Sequence, residues 1–195
     1  TTVDSITADS TTAGGIHLNE TDEVTLTSVI TADGAVQVVS GGTMTATLVT
    51  AGGDGSNIGL ATTAGDVLLG AVTAEGDTVS VDAAGAIDGL GDDDTADVTA
   101  GTVNLTAAGG GIGVGTIVDV TATTALNADS SAADGNILID GIGDLPIGLV
   151  TAGAGDVTLE ATGAIDSLAD DDTADVVGST LTLTALGGGI GAGSP

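Results

Sequence analysis

Asp92, Asp93, Asp94 and Asp97 place four carboxylates within a short stretch, and Asp170, Asp171, Asp172 and Asp175 repeat the arrangement further along the chain. The surrounding words are GDDDTADV from Gly91 and ADDDTADV from Ala169. Hard divalent cations take six to eight oxygen ligands, and crowded carboxylates with loop carbonyls supply them. The chain has no lysine or arginine to neutralise these groups, so a bound cation would relieve the repulsion directly. These eight aspartates are the candidate metal ligands, and Ca2+ is the ion they would hold. The alternative is a solvated acidic loop that keeps neighbouring molecules apart. The order Asp-Asp-Asp-Thr-Ala-Asp is not an EF-hand, because it lacks a glycine at the sixth position and a glutamate at the twelfth.

Other candidate chemistry is thinner. GGDGSNIGL from Gly52 partly matches a nonapeptide calcium repeat, but Asn57 stands where an aspartate should and the match occurs once. GGGIGVG from Gly109 to Gly115 has the glycines of a dinucleotide loop without its strand–helix context. It reads as a tight backbone corner. His17, the single imidazole, sits in the outward slot of Ile16-His17-Leu18 and reads as a surface side chain. No catalytic constellation is apparent, and the chain is expected not to be an enzyme. Thr-x-Thr pairs at Thr25, Thr45 and Thr182 could bind ice only if they recurred at one place on every structural unit, and their spacing does not show that.

Composition narrows the partners. The 195 residues carry 28 acidic side chains, one histidine and no aromatic, for a formal charge of −28. Nucleic acid needs basic residues against its phosphates, and an anionic membrane needs them against its headgroups. Both are excluded. No apolar run approaches the roughly 18 residues of a membrane helix. Yet 42% of residues are hydrophobic, which is too many for an acidic disordered chain. The chain begins at Thr1 with no signal-peptide pattern, which reads as a processed product or an excised piece of something larger.

The elements that must position these groups follow from a repeat. A shift of roughly 78 residues overlays Val72–Val98 on Val150–Val176 and Thr102–Gly115 on Thr180–Gly193. The imperfect repeat covers about 67–116 and 145–195, with a one-residue indel near Asn57 and Asn136. Inside it a shorter unit recurs: Thr-Ala, a Gly/Asp-rich turn, then apolar–polar–apolar. Val36-Gln37-Val38, Ile58-Gly59-Leu60, Val79-Ser80-Val81 and Val103-Asn104-Leu105 are four examples. Period-two alternation means strands with one buried face. The fold expected is all-β, a parallel β-helix (solenoid). It would have about eight coils of roughly 24 residues, forming one domain over residues 1–195. Coils stack at about 4.8 Å, so the rod would be about 40 Å long. Val36, Ile58, Val79 and Val103 would form one interior ladder. If the long repeat makes three whole coils, the two aspartate clusters fall on the same side of the rod.

GDVTLEATGAID, STLTLTALGGGIGAGSP and AADGNILI together resemble the repeat region of filamentous-haemagglutinin-type exoproteins, large bacterial surface adhesins exported by two-partner secretion. The resemblance is best from about Val72 to Pro195. It implies a right-handed β-helical shaft at the bacterial cell surface, outside the cell.

The expected function is thus a non-enzymatic extracellular shaft module of a large surface or filament-forming protein. Its partners would be adjoining coils of the same protein or identical subunits end to end. A calcium-dependent binding module and a subunit of a head-to-tail solenoid filament are the alternatives.

Overall fold

The computed structural model describes residues 2–92, 94–169 and 173–191. Among them are sixteen β-strands and no helix. Every strand pairing is parallel. A parallel pair needs a crossover, and here the crossover is one turn of a coil. The chain winds as a β-solenoid of about eight turns, as the alternation implies.

Three columns of stacked strands run along the molecule. The first contains Ile16, Val36, Ile58, Val79, Val103, Leu126 and Ile147, each paired with the next. Successive members stand about 20 to 24 residues apart, so most coils are shorter than expected while still within the range of a solenoid repeat. The interior ladder read from sequence is present and extends further both ways. The second column stacks Val24, Met44, Val67, Ile87, Ile112, Ile137, Val157 and Leu181. The third carries Val29, Val49, Val72, Val98 and Val120. The longest strand, Val67–Ala83, bends through all three columns in one coil.

Alternation inside each strand explains the core. Val67 and Leu69 are buried while Leu68 between them faces outward. The core is built of Val, Ile, Leu and Ala with the single Met44. Each coil must accept a similar side chain above and below, which favours small branched residues over aromatics. Fully burying one such side chain contributes about 1.5–3 kcal/mol, and the second column does this on successive coils from Val24 to Val157.

The long repeat does not correspond to three whole coils. Val79 lies in the first column, whereas its counterpart Val157 lies in the second. Ile87 lies in the second, whereas Ile165 pairs with Leu145 and Ile190 in the third. One repeat covers three coils and one further column, so the second copy is turned by one face of the rod. The first aspartate cluster lies between Gly89 in the second column and Val98 in the third. The second lies between Ile165 in the third and Val176 in the first. The segments that carry the clusters therefore leave and rejoin the rod at different faces, contrary to the expectation from spacing. Sequence hides this because insertions of several residues are absorbed in corners and do not interrupt the strand pattern.

Candidate functional site: an acidic loop beside a carboxylate ladder

Leu90 to Asp97 leaves the second column after Ile87–Gly89 and rejoins the wall at Val98. The segment Gly91–Ala96 has no large apolar residue to turn inward, so nothing holds it in the coil wall. Asp92 and Asp94 are exposed, and Asp94 adopts a left-handed backbone with φ of 57°, a conformation aspartate tolerates better than most residues. Asp93 lies outside the described residues.

Asp97 is not part of the projecting group. It is 5% exposed, and its Oδ2 accepts a hydrogen bond from the Asp119 backbone N–H at 3.0 Å. Its role here is to pin the end of the loop to the coil above. In the second copy Asp170, Asp171 and Asp172 lie outside the described residues. Asp175 is half-buried, and its backbone carbonyl receives Val150 N–H at 2.8 Å, as the Asp97 carbonyl receives Val72 N–H at 2.8 Å.

The loop leans toward acidic residues that sequence reading did not single out. Asp119, Asp140 and Glu160 occupy the same position of three successive coils, about 4.8 Å apart per level. Like charges directly opposite across strands are destabilising. Asp119 is 2% exposed. Asp140 has its Oδ1 buried with no hydrogen-bond partner among the described residues. Partial burial raises the Asp140 pKa above its ordinary value, and the charges of Glu160, Asp94 and Asp92 raise it further. Each ladder member sits in the outward slot of a triplet flanked by apolar or small residues: Val118-Asp119-Val120, Ile139-Asp140-Gly141 and Leu159-Glu160-Ala161. That pattern, combined with the coil period, was the available signal.

The remaining acidic residues show a different use. Asp66 Oδ1 accepts the Ala86 N–H at 2.8 Å and Asp144 Oδ1 accepts the Ala164 N–H at 2.8 Å. Asn57 Oδ1 accepts from Thr78 N–H at 3.0 Å, and Asn136 Oδ1 from Asp156 N–H at 2.9 Å. In each case the residue just before a strand reaches the corresponding residue one coil up. At that corner the backbone N–H is not served by the carbonyl ladder, and an Asx oxygen serves it instead. Asp88 and Asp134 staple upward in the same way, to Gly115 and Ala154 N–H, whereas Asp77 holds Gly55 and Ser56 N–H of the coil below. Five aspartates and two asparagines thus work as corner staples.

Among the described residues no three His, Asp or Glu side chains converge into a group that could hold a metal ion. Asp119, Asp140 and Glu160 form a line along the rod rather than a shell around a point. His17 is exposed and stacks beside Gln37. Gly109–Gly115 forms a corner packed between coils, as its sequence suggested. A Cβ on Gly113, where φ is 70°, would run into the Leu138 carbonyl oxygen of the coil above. Thr50, Thr73, Thr99 and Thr121 do form an outward ladder, a single file one residue wide. No helix among the described residues is long and apolar enough to cross a membrane.

Comparison of the chain with family models, with curated proteins and with solved structures finds no match.

Proposed function

We propose that this chain is a non-enzymatic structural module, a stiff β-helical segment of a large extracellular bacterial surface protein of the filamentous-haemagglutinin type. The observation that supports this most directly is the second column. Apolar residues stack there without a break over eight levels from Val24 to Leu181. Backbone hydrogen bonds run along the rod axis in three columns, so bending requires several ladders to shear together. Asx staples fix the corners between them. A strongly negative chain, at −28 overall, keeps neighbouring rods from associating sideways.

The test is extension. Inserting one additional copy of the long repeat should lengthen the particle by about 16 Å, three and a third coils at the usual spacing. Its cross-section in small-angle X-ray scattering should stay constant. A particle that widens instead of lengthening would overturn the shaft reading.

One observation favours a second reading, a calcium-dependent module. Asp140 Oδ1 is buried without a hydrogen-bond partner among the described residues, and the Asp92 and Asp94 charges act on the same group. A cation between loop and ladder would relieve all three. Calcium titration against matched magnesium separates this reading from the first.

A further inference from the structure

We propose that Glu20 and Asp22 form an acid-operated clasp, in which one shared proton fastens residues 2–4 and the turn at 20–22 to the rod and its loss releases them. The device is separate from the shaft reading and does not depend on it.

Glu20 stands where the other coils carry no acid. At the corner that follows the first column, Ser40, Thr62, Ala83 and Ala107 are buried on successive coils. Glu20 lies one level below Ser40. Its N–H donates to the Val39 carbonyl at 2.8 Å, and its carbonyl accepts from the Gly41 N–H at 2.9 Å. It places a carboxyl where the coils above place a hydroxyl or a methyl, and it is 1% exposed. A buried carboxylate must be compensated. The chain has no lysine or arginine, and its one imidazole, His17, is exposed on the outer face.

The compensation is local. Glu20 Oε2 accepts the Val3 N–H at 3.2 Å, and Oε1 accepts the Thr21 N–H at 3.0 Å. The Asp22 side chain is hydrogen-bonded to the Glu20 carboxyl. Two ionised carboxylates only accept, so that bond exists only while the pair holds a proton. The coil above fixes the turn: the Asp22 carbonyl accepts from Ser40 Oγ at 2.6 Å and from the Gly42 N–H at 3.0 Å. The two carboxyl groups are thereby kept together. The other charged groups nearby are acidic as well. Asp4 acts on Asp22, and Glu23 lines the same notch as Asp4. Residues 40–43 of the coil above carry no titratable side chain.

Loss of water around the Asp22 carboxyl raises its pKa above the ordinary value, and the hydrogen bond to Glu20, the Glu20 charge and the Asp4 charge raise it further. The proton belongs to the pair rather than to either residue. A raised pKa makes the stabilisation complete below the ordinary carboxylate value and removes it as pH rises through the raised one. The two carboxylates then repel, and the side chain that holds the Val3 N–H moves off. The backbone bonds from Glu20 to Val39 and Gly41 remain, so the rod itself does not open.

Amide hydrogen exchange at Val3 and Thr21, read by NMR as protection factors from pH 4 to 8, tests this on the full chain. In the wild type both amides should be protected in acid and lose protection as pH rises, by up to about tenfold per pH unit, the slope of one linked proton. The Ala86 N–H, held by Asp66 at another corner, reports global unfolding and serves as the reference. Asp22→Asn brings an N–H that donates to Glu20 at every pH, so both amides should stay protected across the range. Glu20→Ala removes the acceptor and should leave Val3 unprotected throughout. If that variant does not fold, the exposed Asp22→Asn substitution carries the test alone. Wild-type protection at Val3 and Thr21 that stays constant relative to Ala86 overturns the proposal. So does a pH profile in Asp22→Asn as steep as that of the wild type, which would assign the titration to another group.

Discussion

Thr102–Ile112 and Thr180–Ile190 are near-copies that end in different surroundings. Below, they are treated alike. Ala108 N–H donates to the Ala83 carbonyl at 2.9 Å and Leu186 N–H to the Ala161 carbonyl at 2.8 Å. Gly113 N–H reaches the Ile87 carbonyl and Gly191 N–H the Ile165 carbonyl, at 2.7 and 2.8 Å. Above, they part. Leu105 is 1% exposed beneath Ala128, whereas its counterpart Leu183 is covered from one side and only partly buried. The comparison shows that burial in a solenoid belongs to the neighbouring coil. A strand specifies which residues face inward, but another coil must arrive before they leave water.

The largest effect should come from truncating the matched leucines. Leu105→Ala should cost about 2–5 kcal/mol, the range for a core cavity, and Leu183→Ala less than about 1 kcal/mol in a monomer. Urea unfolding followed by circular dichroism measures both, and equal costs would break the comparison. The matched glycines sharpen it. Gly113 and Gly191 share a left-handed backbone, with φ of 70° and 66°. A Cβ on Gly113 meets the Leu138 carbonyl, whereas one on Gly191 meets nothing within 4 Å among the described residues. Gly191→Ala should show only the conformational strain of about 1–2 kcal/mol. Gly113→Ala should exceed it clearly in the same denaturation series.

The staples give a smaller contrast. Asp66→Ala orphans a half-buried amide of the coil above and should cost about 1–3 kcal/mol. Asp144→Ala loses the matching but exposed bond, which water replaces, and should cost about 0.5–1.5 kcal/mol. The Asn variants should retain most of the stability, because an amide oxygen also accepts. Equal losses at the two sites in the same denaturation series would show that exposure of the corner does not matter.

A smaller effect is expected at Asp140. Its pKa is raised in the folded protein by partial burial and by Glu160, Asp94 and Asp92. The folded state therefore binds this proton more tightly than the unfolded chain does. Stability should rise as pH falls through the raised pKa toward the ordinary carboxylate value. Asp140→Asn should remove that dependence and raise stability at neutral pH by roughly 0.2–1 kcal/mol, the scale of one cross-strand like-charge pair partly screened by solvent. Melting temperature against pH for both proteins is the measurement. The smallest shift should be the calcium-specific one. Calcium and magnesium at matched ionic strength should raise the melting temperature equally, by screening. A rise peculiar to micromolar calcium would favour the calcium-dependent module.

Much of the architecture is legible in the chain. Val36-Gln37-Val38 and its relatives mark inward and outward positions, because strand side chains alternate whatever surrounds them. The recurrence of that triplet marks the coil. The acidic loop is legible as a loop, since its residues offer nothing to bury. The carboxylate ladder is not. Asp119, Asp140 and Glu160 each stand a full coil apart, and only the accumulated lengths of intervening turns bring them to one face. For the same reason Asp97 reads in sequence as one group with Asp92 and Asp94, although it turns inward to a backbone amide contributed by the next coil.

Sequence alone determined the alternation within strands, the small-residue interior and the Asx staples. Asp66 to Ala86 and Asp144 to Ala164 form identically in both copies, because both partners lie within one coil of each other and inside the same repeat. The tertiary structure decided which face each copy occupies and which carboxylates meet. Those outcomes depend on summed turn lengths, which are not a property of any one stretch of residues.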